Sequence, residues 1–153
     1  MGKVALYRRP VLSIGNTVGI SAHMPVRLSR GTYYGRPIAK QEVAGLILTE
    51  KRHPAGERLP PHAHDQAYLC FVLAGSWSER YDGGVRTCAP MSVIYHPAGE
   101  IHSDSFDREE ARLFDIELDA SWLQRIATTS QSFDEPHAFD GGQVSKHCPT
   151  VVR

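Results

Sequence analysis

Two short histidine-bearing pairs carry most of the chemical content of this sequence. His62-Ala63-His64 sets two imidazoles two residues apart, and Glu100-Ile101-His102 repeats that spacing further along the chain. Side chains two apart on a strand point to the same side. Neighbouring strands carrying these pairs inward would present three imidazoles and one carboxylate to a common cavity. Such a donor set suits one divalent transition ion (Zn²⁺, Fe²⁺, Ni²⁺ or Mn²⁺), with positions open for water or substrate. A plainer reading stands beside it: His62, His64, Glu100 and His102 are partly buried polar residues that tie rim turns together. Glu100 is read as a ligand, or as a carboxylate that orients His102 or a neighbouring imidazole. That role ranks ahead of a proton shuttle, and no residue is assigned a catalytic role.

The surrounding pattern is that of a β-protein. Val43 to Thr49, Ala67 to Leu73 and Val93 to Tyr95 are runs rich in branched or aromatic residues. Phe114, Ile116 and Leu118 alternate onto one face of a further strand. Tyr81-Asp82-Gly83-Gly84-Val85 supplies a hairpin turn, since Asp and Gly tolerate positive φ. Pro60-Pro61 and Pro97-Ala98-Gly99 break the chain at sheet rims. Many short strands at this spacing predict a sandwich or barrel. One helix is predicted from about Ala120 to Thr128, capped by Asp119, with Trp122, Leu123 and Ile126 docking it onto the barrel. Residues 1–30 are expected to be a leader packed on the barrel, 31–128 the barrel with its helix, and 129–153 a polar tail. His53 and His96 lie off the convergent pairs and are expected as loop or edge histidines. The pair His147-Cys148 is expected to be exposed tail. Trp77 and Tyr81 fit either ligand contact at the barrel mouth or sheet packing.

Composition narrows the classes of function. The 153 residues hold 17 basic and 17 acidic side chains, scattered without a polybasic patch. Direct nucleic-acid binding and an acidic membrane surface are thereby disfavoured. No apolar run is long enough to span a bilayer. The three cysteines, Cys70, Cys88 and Cys148, form no C-x-x-C pair, and they read as reduced thiols of a cytoplasmic protein. Arg8-Arg9-Pro10 and the residues after it only weakly mimic a signal peptide.

The histidine segments resemble the two motifs of the cupin family. Gly56, His62, His64 and Gly75 match the first, and Pro97, Gly99 and His102 match the second. Tyr68 stands in place of the first motif's glutamate. Met91 replaces the second motif's leading glycine, and Phe106 replaces its asparagine. The resemblance implies a double-stranded β-helix, a small jelly-roll barrel with a ligand cavity and a short C-terminal helix. Glu100 would supply the carboxylate that Tyr68 does not. Tyr68 and Cys70 share strand parity with His62 and His64, which would line them up beside the metal as ligand-contacting residues.

A narrower resemblance covers about Ala44 to Gly142. His62-Ala63-His64, Leu73-Ala74-Gly75-Ser76, the run from Tyr95 to Asp104 and the Asp119-to-Leu123 segment look like the amino-terminal sensor domain of AraC-type regulators. Such regulators carry paired helix-turn-helix units after the sensor, and residues 129–153 hold no helical pattern. The resemblance implies a small-molecule-binding sensor half without its DNA-binding half, in a family where dimers are common. The alternative is a small metal-dependent cupin enzyme of dioxygenase or isomerase type, because fold alone does not separate the two.

Overall fold

A computed structural model describes residues 24–127 and 134–140 of the chain. Most of the expected leader, much of the expected tail and the His147-Cys148 pair lie outside the described residues. Two sheets form, connected by short turns. One contains β1 (Val26–Leu28), β4 (Arg58–His64), β9 (His102–Phe106), β6 (Trp77–Tyr81) and β7 (Gly84–Cys88), hydrogen-bonded in the order β1-β4-β9-β6-β7. The other runs β11-β8-β5-β10-β3-β2, from β2 (Arg36–Val43), β3 (Leu46–His53), β5 (Ala67–Ala74), β8 (Val93–His96), β10 (Ala111–Leu118) and β11 (His137–Phe139). Successive strands pass from one sheet to the other: β4 to β5, β5 to β6, β7 to β8 and β9 to β10. This is the jelly-roll winding of a double-stranded β-helix, the fold class expected from the sequence.

The turns explain several boundaries. The run from Val43 to Thr49 is not one strand. Ala44 (φ 50°) and Gly45 (φ 83°) form a hairpin turn inside it, joining β2 to β3; two consecutive positive-φ residues match the right-handed twist of the flanking strands. The Asp82-Gly83 turn joins β6 to β7 as predicted. At Gly75 the chain leaves β5 with φ 72°, and a Cβ there would fall 2.6 Å from Ala111 Cα, so only glycine fits. Met91 also has a positive φ, 72°, at the position where the cupin motif has glycine.

The two faces of β10 pack differently. Phe114, Ile116 and Leu118 do share a face, but it is the outer one. Ile116 and Leu118 pack there with Ala67, Tyr95, Trp122, Leu123 and Ile126, under the helix α1 (Ala120–Ala127). Asp119 Oδ1 accepts a hydrogen bond from the Trp122 amide at 3.0 Å and caps that helix. The Trp122 indole donates to the Ala44 carbonyl at 2.8 Å, fastening α1 to the β2–β3 turn. The inner face of β10 instead carries Leu113, Asp115 and Glu117, all buried.

Candidate functional site

The interior has an apolar end and a polar end. Trp77, Phe106, Val72, Ile94 and Leu113 fill the first with ordinary core packing. Buried among and beyond them are His53, His62, His64, His96, His102, Glu79, Asp115, Glu117 and Lys51. So many enclosed polar groups require partners, because each one left unpaired costs free energy.

Three histidines converge as the spacing predicted. His62 and His64 come from β4, and His102 opens the neighbouring strand β9 directly opposite His62. One ring nitrogen from each lies within 4.8 Å of the other two, a set that could hold a metal. Backbone contacts fix two of the tautomers. His62 Nδ1 donates to the Pro60 carbonyl at 2.8 Å, and His102 Nδ1 donates to the Glu100 carbonyl at 3.3 Å. A carbonyl only accepts, so both rings keep a lone pair on Nε2. The buried Nδ1 of His64 has no hydrogen-bond partner. Burial holds all three imidazoles below the ordinary histidine pKa, the neutral form that metal ligation requires. The donor chemistry, the Nε2 lone pairs left by the Nδ1 hydrogen bonds and the unsatisfied His64 nitrogen fit a divalent transition ion.

Glu100 does not lie in a strand, and it is not in this triad. It closes the Pro97–Glu100 turn before β9 and groups instead with His96 and His102. Its Oε2 lies 2.7 Å from His96 Nδ1, close enough to share one proton, and its Oε1 is 3.5 Å from Arg86 Nη2. Arg86 also pairs with Glu79 on β6 and lies over the Tyr81 ring at 4.4 Å. Burial raises Glu79 and Glu100 to about 7, with Arg86 opposing the rise in both. Asp104 on β9 is raised to about 8, chiefly by burial and next by the Glu79 charge.

Two expectations for lone histidines are overturned. His96, at the end of β8, is 2% exposed, and its ring stacks on Tyr68 with centroids 4.4 Å apart. His53, at the end of β3, is 1% exposed, stacked on Phe106 at 4.2 Å and bonded through Nδ1 to Glu57 at 2.6 Å. Both occupy inward strand positions, which their lack of a histidine two residues away concealed. Glu79, Arg86 and Asp104 were also missed. Glu79 and Arg86 are opposite each other in the β6–β7 ladder, and Glu79 is opposite Asp104 in the β6–β9 ladder, so alternation on the two arms of the predicted hairpin was the available signal.

Tyr68 and Cys70 do line the interior, although strand parity is the wrong reason. The chain turns at Asp65-Gln66, and β5 belongs to the facing sheet, so both residues look across at the histidines. Tyr68 OH lies 3.3 Å from His102 Nε2 and can donate to it. Cys70 is opposite Asp115 in the ladder between β5 and β10. Asp115 in turn is paired to Lys51 Nζ at 2.7 Å, and Lys51 lies over the Tyr33 ring. Burial first, and the Asp115 charge second, drive the Cys70 thiol well above its ordinary pKa, so it is an inert thiol.

The enclosed space between these residues is about 20 Å³, room for about one water molecule or one ion. A much larger cleft of about 1070 Å³ opens at the barrel mouth, bordered by Arg80, Tyr81, the Pro97–Ser103 loop and Asp134–Pro136. His102 borders both spaces.

A jelly roll with an inward-facing histidine set defines a cupin-type barrel. Residues 43–150 match the AraC-like ligand binding domain, and the chain belongs to that family. No curated protein matches the chain. Among solved structures, a cupin superfamily protein from Desulfitobacterium hafniense DCB-2 is 18% identical, with a TM-score of 0.48, covering 54% of this chain and 74% of that one. A Cupin 2 conserved barrel domain protein from Salinispora arenicola CNS-205 is 20% identical, with a TM-score of 0.48, covering 61% and 81%. The DMSP lyase of Ruegeria pomeroyi DSS-3 is 20% identical, with a TM-score of 0.47, covering 62% and 43%. No helix among the described residues is long and apolar enough to cross a membrane.

Proposed function

We propose that this barrel is a cytoplasmic small-molecule sensor of the kind that forms the effector-binding half of AraC-type transcription regulators, working as a dimer, with one divalent transition ion held by His62, His64 and His102. The observation that carries the reading is the division of space around His102. An organic ligand does not fit the ion-sized interior, whereas the mouth cleft has the volume of a small-molecule site. An ion on the triad would therefore be sealed behind the ligand and would supply Lewis acidity at the floor of the cleft. The balanced charge of the chain supports a role that leaves nucleic-acid contact to other polypeptide.

A second reading, a small metal-dependent enzyme of dioxygenase or isomerase type, is favoured by one feature. Three imidazoles leave coordination positions unused, and the Tyr68 phenol stands 3.3 Å from one of the ligating rings.

Elemental analysis of the natively purified protein tests the shared premise. About one equivalent of metal, lost on joint substitution of His62→Ala and His102→Ala, is the expected result. A metal-free protein whose melting temperature does not respond to Zn²⁺, Ni²⁺, Mn²⁺ or anaerobic Fe²⁺ would overturn it. With metal present, a ligand recovered unchanged supports the sensor, and one recovered as product supports the enzyme.

A further inference from the structure

We propose that Arg86 holds the Glu100 carboxylate in reserve, so that the triad offers a metal three neutral imidazoles and keeps a coordination position for a small anion. The inference rests on the metal reading above. Glu100 is near enough to count. One of its oxygens lies within 4.8 Å of the ring nitrogens of both His96 and His102, yet it does not join the set with His62 and His64. Three contacts keep it there: His96 at 2.7 Å, the Arg86 guanidinium at 3.5 Å, and the turn closed by its own amide on the Pro97 carbonyl at 3.2 Å.

Arg86 is itself anchored. Glu79 pairs with the same Nη2, and the Tyr81 ring lies beneath the guanidinium. A planar, permanently charged guanidinium can serve two carboxylates at once, which an ammonium does less well. Arg86 also stands 3.4 Å from His96 Nδ1. A fixed cation at that distance argues against a second metal on the His96, Glu100 and His102 set.

The consequence for ligand chemistry is a matter of charge. A dication on three neutral imidazoles keeps its full charge of two. Lys51 also lines the enclosed space, with its charge shared with Asp115 at 2.7 Å. Tyr68 OH points a donor at the same place. An anionic oxygen or nitrogen donor is the group that such a position stabilises; the enclosed space of about 20 Å³ holds the ion alone, so the anion would reach it from the cleft that His102 also borders.

Cobalt(II) absorption, read with azide as the probe anion on the full chain, tests this. The wild type is expected to bind Co²⁺ and to change spectrum with azide. In Arg86→Gln the freed Glu100 should ligate the metal, tightening Co²⁺ binding about tenfold and weakening azide binding by a similar factor. Adding Glu100→Gln to that variant should restore the wild-type azide response. If Arg86→Gln fails to fold because Glu79 loses its partner, Arg86→Gln with Glu79→Gln removes both charges and serves the same comparison. Unchanged Co²⁺ and azide affinities in the folded Arg86 variant would overturn the inference while leaving the metal reading intact. Absence of Co²⁺ binding by the wild type would overturn both.

Discussion

His62 and His102 face each other across the β4–β9 pair, in direct register and with ring centroids 4.2 Å apart. Each ring is oriented by a hydrogen bond from Nδ1 to a carbonyl two residues before it, Pro60 for one and Glu100 for the other. Each strand thus orients one imidazole of the set by the same local device. Substituting both histidines by alanine should abolish any metal-induced rise in melting temperature. In the wild type, a metal at 100 times its Kd should add about 2.7 kcal/mol of stability. Thermal unfolding with and without metal checks this.

Lys51 and Asp115 form an ion pair that is almost wholly enclosed. Lys51→Met alone should cost about 3–5 kcal/mol, because it leaves Asp115 charged and unpaired. The double variant Lys51→Met with Asp115→Leu should recover most of that loss, since two apolar groups remove both desolvation penalties. Chemical denaturation of the two variants measures the difference.

Met91 carries φ 72° while its side chain is 75% exposed. A left-handed backbone costs a non-glycine residue about 1–2 kcal/mol, and little packing is lost on truncation there. Met91→Gly is therefore expected to stabilise the fold by about 1 kcal/mol, less the added entropy of an unfolded glycine. Denaturant midpoints resolve a change of that size.

The metal-free protein should be most stable near pH 6.5. Burial depresses five imidazoles, those of His53, His62, His64, His96 and His102. Below their unfolded pKa of about 6.5 the unfolded chain takes up protons that the fold refuses, so stability falls with pH. Glu79, Glu100 and Asp104 act oppositely. Their pKa values, raised to about 7, 7 and 8, make the fold the better proton binder, so stability rises as pH drops from 8 towards 6.5. Below 6.5 the five depressed imidazoles outnumber the three raised carboxylates, so unfolding takes up protons on balance and stability declines as pH falls further. Unfolding free energies across pH 5 to 8 test the sign, and a monotonic rise in stability towards pH 5 would refute it.

How much of this could be read beforehand differs between the backbone and the side chains. A sandwich or barrel of short strands, the Asp82-Gly83 hairpin and the capped helix follow from turn residues and periodicity, which are local; the jelly-roll winding is implied only by the resemblance of the histidine segments to the cupin motifs. The triad follows from matched two-residue spacing. Glu100 was placed with the triad because its spacing from His102 looked strand-like, but the turn beginning at Pro97 takes it out of the strand. His53 and His96 each sit singly on a strand, and one polar residue in an apolar run does not reveal which way it faces. The Glu79–Arg86 pair depends on cross-strand register, which needs the hairpin to be closed before the partners are known.

The seat of α1 on the back of β5 and β10 has a consequence for communication. A strand is one residue thick, so Tyr68 and Asp115 look into the interior while their neighbours Leu69 and Ile116 touch the helix side. A tilt of those strands would reach Trp122 through this packing, without passing through a loop. The indole, tied to the Ala44 carbonyl, would carry the same displacement on to the hairpin joining β2 and β3, so that occupancy of the barrel is legible on its outer wall.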